Sequence, residues 1–488
     1  MNRRRFLAAS ALAGSAALAG GAEGAAPEGA GTTPPEVTRI LAKYVVSAKP
    51  ADLPEPVRKE AMRTLLNWFA ATLGGAKNEA VGIAAAALAP FFGNAQAHVV
   101  GRTERPDMLN AALLNGMSSH ILDYDDTHLK TVIHPAGPVV PAILALSEYL
   151  AGRSENRKFV AGRDFMNALV LGIEAECRIG NAVYPEHYDA GWHITGTVGP
   201  FGAAVAAGKI LGLDEQQMVW ALGIAAVQPV GLREMFGSMT KSFHPGRAAQ
   251  NGLLAALLAQ KNFTSSDQGI EAKSGWANVL STKRNYAEIT ENLGKTYEIS
   301  VNTYKPFACG IVMHPTIDGC IQLREQTHFT PDDVKSIDLR VNRLVLELTA
   351  IKAPKTGLEG KFSIYYAAAV AIVEGSGSEL QFSDASVKNP VTVALREKVT
   401  ATADSSVAED QVRITITLKD GRKLEKFVEH AVGSVKNPMS DHDLEVKFAA
   451  LSDDVLSSDQ AEDLMEMCWK LETLPDASQL AKNAAGKA

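Results

Sequence analysis

The sequence predicts a mainly α protein, a large all-helical domain with an inserted smaller α+β lid domain, and three observations lead there. From Pro35 to about Leu280, Ala- and Leu-rich segments recur at helical spacing, broken by Gly and Pro, with almost no strand-like alternation. After Ser300 the pattern changes. Ile337-Asp-Leu-Arg-Val341 and Gln411-Val-Arg-Ile-Thr-Ile-Thr-Leu418 alternate, and Lys419-Asp-Gly-Arg422 follows as a hairpin turn signal. Beyond Asn437-Pro-Met-Ser440 the apolar spacing of Leu444 to Leu474 is helical again. The expected organisation is a helical domain over 36–300, an α+β lid over 301–436, and C-terminal helices over 437–480 that return to the first domain. A chain of 488 residues exceeds what one compact core usually holds.

Residues 1–25 are set apart. Asn-Arg-Arg-Arg-Phe-Leu followed by an Ala/Gly/Leu-rich stretch predicts a twin-arginine-type signal peptide, with Ala17-Leu18-Ala19 as a cleavage site, and 26–35 reads as a linker. The expected location is periplasmic or secreted, with no membrane association after cleavage. The formal charge of −7 would become −10 on loss of the three arginines, and there is no long basic run. Nucleic acid is therefore not an expected partner. Four scattered cysteines, Cys177, Cys309, Cys320 and Cys468, offer neither a disulfide scaffold nor a zinc motif, and buried free thiols are expected.

Four segments carry reactive groups. The first, His120 to Pro138, packs three histidines, three aspartates, a lysine and two threonines between two apolar helical runs. Met108 to Leu122 has helical spacing, and Pro135, Pro138 and Pro141 open the next helix, so the polar cluster falls at a helix junction. The second runs from His187 to Gly199, with His193 before a Gly-rich helix start. The third, Gly237 to Arg247, offers Lys241, His244 and Arg247. The fourth, Asn302 to His314, opens the second domain with Lys305 and His314. Imidazoles near neutral pKa can take a proton from a carbon beside a carboxylate, and fixed cations stabilise the charge that develops. The chemistry expected is elimination, decarboxylation or epimerisation of a di- or tricarboxylic acid. None of these needs a redox cofactor.

Plainer readings stand beside these. His120 could buttress its own helix, Asp125 and Asp126 could be cap or turn residues, His187 could be a supporting or surface residue, and Lys241 a solvated charge. His187 and His193 lack a third ligand, so no metal site is expected. Gly196-x-x-Gly199-x-x-Gly202 has the wrong spacing for a dinucleotide fingerprint and suits close helix contacts.

At these same segments the chain resembles the MmgE/PrpD family, over about Pro35 to Leu474. The motifs are Asp123-Tyr-Asp-Asp-Thr127 with His134-Pro, Gly191-Trp-His-x-Thr-Gly-Thr197, Met239-Thr-Lys-x-x-His-x-Gly246, Tyr304-Lys-Pro-Phe, Gly360-Lys-Phe-Ser363 and Asn437-Pro-Met-Ser440. The resemblance implies an active site between a helical domain and a lid, usually in a homodimer without cofactor. It also implies a lyase acting on a small polycarboxylic acid, 2-methylcitrate dehydratase-like, with epimerase or cis-aconitate decarboxylase-like activity as alternatives. The family's pocket maps onto Asp123, Thr127, His134, His193, Lys241 and Lys305, with Tyr366 a weaker match. The roles expected are catalysis for His134, His193, Asp123 and Lys241, and substrate binding for Thr127, Lys305, Tyr366 and His314.

Two departures are visible. The loop from Thr127 to His134 is one residue longer than in the decarboxylases of the family. Gly310 and Ile311 stand where a histidine and, in many members, an arginine are found. His314 remains and is expected to compensate in part. The loss of those groups also keeps open an exported, non-catalytic carboxylate-binding protein.

Overall fold

Helix boundaries follow local chemistry in the computed structural model, which describes residues 36–486. The signal peptide and linker expected over 1–35 lie outside the described residues. Asp107 caps the helix Met108–Ile121 by accepting hydrogen bonds from the amides of Leu109 and Asn110. Pro135 precedes the helix Ala136–Gly152, with Pro138 in its first turn and Pro141 inside it rather than at its opening. Gly212, at φ 74°, ends the helix Ile194–Leu211 in the left-handed conformation.

That last helix is the axis of the first half. It packs against Gly162–Val183, Ala136–Gly152, Glu215–Ala226 and Thr240–Gln260. It is long and apolar enough to cross a membrane by length and composition, with a mean hydropathy of 1.3, yet 89% of it is buried inside the fold. Its glycines let neighbours approach. A Cβ on Gly199 would come within 2.6 Å of Pro138, and one on Gly202 within 2.6 Å of Glu176.

In the second half a four-stranded sheet runs in the order Val399–Ala403, Val334–Val341, Val412–Leu418, Lys423–Val428. The first pair is parallel and the other two are antiparallel. Ile337, Leu339 and Val341 bury one face of the second strand, as alternation requires, and Val334 is buried beyond a register shift between Val334 and Ser336. The helices His314–Thr327 and Ile364–Glu374 pack on the sheet. Asp420 and Gly421 make the hairpin turn, Gly421 at φ 92°.

Residues 36–486 form one compact unit with two main hydrophobic cores. The second core is not confined to the sheet, because Ala80, Leu113, Met117 and Ile121 of the first half contribute to it. The helix Asp441–Ser452 packs back against Glu55–Gly75. The first half is not wholly helical. Thr127–His128 pairs as a two-residue strand with Asn302–Thr303, too short to show alternation in sequence, and this pairing joins the two segments that build the site.

Candidate active site

The polar junction begins where the helix Met108–Ile121 stops. Asp123 takes a left-handed conformation, φ 50°, its amide donating to the His120 carbonyl at 2.9 Å. Asp tolerates this region better than most residues. The carboxylate then receives two ammonium groups on one oxygen: Oδ1 lies 2.5 Å from Lys305 Nζ and 3.1 Å from Lys241 Nζ. Burial alone would raise the Asp123 carboxyl, but Lys241 and Lys305 outweigh it and hold it well below the usual range. Oδ2 has no hydrogen-bond partner among the described residues.

Lys241 is buried, so it is not a solvated charge. Its Nζ lies 5.2 Å from the Phe236 ring centre and 5.4 Å from that of Phe362. Burial lowers its pKa, opposed by Asp123. Lys305 is fully buried and also donates to the Asp123 carbonyl at 3.0 Å.

Three imidazoles gather opposite these lysines. His134 Nδ1 lies 2.8 Å from the Asp126 carbonyl. A carbonyl can only accept, so Nδ1 carries a proton, and in the neutral ring Nε2 is the acceptor. Asp125 Oδ1 at 3.3 Å and Thr127 Oγ1 at 3.4 Å complete the surroundings of that nitrogen. His120 Nδ1 lies 2.7 Å from Asp125 Oδ2, and its Nε2 has no partner among the described residues. Burial pushes His120 down to about 3. Although burial opposes it, the neighbouring His120 and His134 keep Asp125 ionised. His120 and Asp125 therefore do more than buttress a helix, since one carboxylate orients two rings whose centres are 4.6 Å apart.

His193 occupies the N-cap position of Ile194–Leu211, its amide donating to the Gly231 carbonyl. Its Nδ1 lies 2.9 Å from His244 Nδ1. Burial lowers both rings, His193 well below the usual value and His244 to about 4. Gly231, at φ 104°, is required here, because a Cβ would stand 2.8 Å from the His244 ring.

Asp123, His134, His193, Lys241 and Lys305 thus line one small cleft, closed on its other side by Val132, Tyr188, Phe236, Gly310, Ile311 and Phe362. Val132 is a β-branched residue at φ 53°. Holding it there costs about 1–3 kcal/mol. It sits in the loop between Thr127 and His134.

Other expected site residues lie elsewhere. Thr127 is buried behind His134, and Thr303 Oγ1 donates to its carbonyl. Tyr366 does not line the cleft; its hydroxyl donates to the Gln381 carbonyl and its ring meets Phe382 edge-on. His314 does not line it either. Its Nε2 is 3.4 Å from the Cys309 carbonyl, its ring meets Phe307 at 5.3 Å, and burial takes it to about 3, so it does not take the substrate-binding place in this cleft expected of it. Arg247 is exposed and bonds Gln250. His187 is a buried support, linking Leu280 and Thr197.

Motif reading missed several contributors. Lys361 donates at 2.6 Å to the carbonyls of Leu122 and Ala308, and burial lowers it to about 8. Lys447 donates to Asn67, to the Tyr124 carbonyl at 2.6 Å and to the Lys305 carbonyl at 2.9 Å, fixing the backbone that presents both site segments. Phe236 carries no signal beyond being large and apolar, whereas Lys361 and Phe362 stand inside the Gly360-Lys-Phe-Ser363 motif and Tyr188 inside the His187 to Gly199 segment, none of them expected as a site residue. All four cysteines are buried and free, as expected.

As to metals, one ligand atom from each of His120, His134 and His193 lies within 4.8 Å of the others, and His120, Asp123, Asp125 and His134 form a second such group. Three imidazoles at that spacing could take a divalent cation.

The fold and cleft define a class, a mainly α protein with paired ammonium groups and clustered imidazoles facing one small cavity. Family models match on both sides of it. The MmgE/PrpD N-terminal domain matches residues 39–289 and the MmgE/PrpD C-terminal domain residues 307–472, and the chain belongs to this family. It is 27% identical to the cis-aconitate decarboxylase of Aspergillus terreus over 471 residues, covering 91% of this chain and 95% of the relative. Against the cis-aconitate decarboxylase of Homo sapiens the identity is 27% over 468 residues, 91% and 93% of the two chains. A probable 2-methylcitrate dehydratase of Saccharomyces cerevisiae is 22% identical over 367 residues, 69% of each chain. A decarboxylase and a dehydratase are both lyases.

Proposed function

We propose that this protein is a lyase that removes the proton alpha to a carboxylate of a small hydroxy or unsaturated acid, hydrating or dehydrating the adjacent carbon–carbon bond. The observation that supports this best is the bare Nε2 of His134 in the same cleft as two ammonium groups that share one carboxylate oxygen. Remaining N–H donors on Lys241 and Lys305 bind the substrate carboxylate, and His134 Nε2 takes the alpha proton. The electron pair moves towards the carboxylate, where the ammonium groups stabilise the developing charge. The carbon–oxygen bond at the next carbon then breaks, and the imidazolium formed on His134 returns its proton to the departing hydroxide, which leaves as water, with the His193–His244 pair placed to hydrogen-bond that oxygen. Asp123 Oδ2, which lacks a partner, is suited to accept from a substrate hydroxyl.

Decarboxylation is the second reading, favoured by the identity to two cis-aconitate decarboxylases over nine-tenths of the chain. Proton NMR of the purified protein in D2O with a panel of hydroxy and unsaturated acids separates the outcomes. Loss or gain of water supports the first reading and loss of carbon dioxide the second. Exchange without net conversion marks an epimerase, and binding without exchange marks a carboxylate-binding protein.

A further inference from the structure

We infer that the substrate of this cleft carries one carboxylate at its reacting end and an apolar substituent directed at Val132, Ile311 and Val312. The inference deepens the lyase reading above and rests on it. Two ammonium groups against the one carboxylate of Asp123 leave the cleft lining a single net positive fixed charge, enough for one carboxylate and not for three. Of the other cations nearby, Lys361 and Lys447 are each turned to two backbone carbonyls, and Lys130, in the adjoining groove, is paired with Glu288.

Space points the same way. The polar cleft holds a cavity of about 40 Å³, little more than a head group requires. Val132, Ile311 and Val312 wall this cleft and also an adjoining groove of about 540 Å³. That groove continues past Leu129, Pro315 and Val432 and is also lined by Lys130, His314, Asn342, Glu409 and Asp410, whose two carboxylates against one ammonium disfavour a further substrate carboxylate there. The bulk of an acid whose carboxylate reaches Lys241 therefore has to lie against apolar side chains. Gly310 adds to the opening and is not demanded by packing. A Cβ there would meet its nearest neighbour, the Lys361 carbonyl oxygen, at 3.4 Å, and Thr349 and Phe362 at 3.8 and 3.9 Å. Val132 presents its branched side chain to both spaces from a left-handed backbone.

The test is calorimetric titration of the full chain with trans-2-butenoate, trans-2-hexenoate and trans-2-octenoate, set against cis-aconitate and citrate. Affinity should rise about fourfold per added methylene, the factor for burying one CH2, and octenoate should outbind both tricarboxylates. In Ile311→Arg the chain-length dependence should flatten and cis-aconitate should bind at least about tenfold tighter, as a new fixed cation predicts. Tighter binding of either tricarboxylate to the wild type, no dependence on chain length, or no binding across the alkenoates would each overturn the inference. Deuterium exchange measured on the same samples reports the chemistry separately. Alkenoates that bind with the predicted trend but never exchange uphold the site's selectivity and defeat the lyase reading, whereas conversion of a tricarboxylate does the reverse.

Discussion

His193 and His244 face each other through their Nδ1 atoms at 2.9 Å, so one ring must donate and the other accept. The proton between them sets whether Nε2 of His193, the nitrogen left free for substrate, is a donor or an acceptor. His244 does not line the cleft and acts as a positioning residue. His244→Ala should lower kcat by about 10–100-fold while KM changes little. A KM rise without a fall in kcat would place His244 in substrate binding instead. His193→Ala should cost more, at least about 100-fold in turnover, without a matching loss in Tm.

The proton on His134 Nδ1 is fixed by the Asp126 carbonyl, which leaves Nε2 as the base. His134→Gln should abolish alpha-proton exchange in D2O by about 10²–10⁴-fold while circular dichroism and Tm stay near wild type. Retained exchange would move the base to His120 or His193.

Lys241 and Lys305 share Asp123 but differ in surroundings. Lys241→Met leaves Asp123 one ammonium partner and should mainly raise KM. Lys305→Met removes the 2.5 Å partner from a buried carboxylate, and should cost about 3–5 kcal/mol in stability as well as binding. Denaturant titration of both variants checks this. Equal stability would mean that the two lysines hold Asp123 equally.

Burial, with Asp125 adding to it, raises the Asp126 carboxyl from 3.8 to about 7. A raised acid favours folding below its ordinary pKa and loses that contribution as pH rises through the folded value. The wild type should therefore lose stability relative to Asp126→Asn between about pH 4 and 7, by at most roughly 4 kcal/mol, and the difference should level off above pH 7. The amide oxygen can keep the bonds that Oδ2 accepts from Asn302 and Ala136. A Tm difference independent of pH would show that Asp126 is ionised throughout.

Composition and spacing expose the helical half, the hairpin and the polar junction from Asp123 to His134, because unusual concentrations of titratable groups and strict alternation survive in one dimension. The strand Val399–Ala403 is hidden because Val-Thr-Ala-Thr-Ala pairs at the sheet's edge with only Val399 well buried. His314 and Tyr366 follow motifs closely, yet spacing does not say which face of a helix meets the cleft, and both turn to backbone carbonyls instead. The apolar wall is hard to see for the opposite reason, since Phe236 and Val312 read like any core residue until the fold sets them beside the lysines. His120 and Asp125 are told apart from helix buttresses only in three dimensions, where the Asp125 carboxylate meets both His120 and His134.

Lys447 belongs to the last tenth of a 488-residue chain, yet its ammonium holds the backbone on which Asp123 and Lys305 are mounted. During synthesis the ribosome has made every cleft residue long before it makes this clamp. A nascent chain halted before 447 would contain all the chemistry and lack its alignment, so competence should arrive abruptly, near the end of translation, rather than accumulate as the cleft residues emerge.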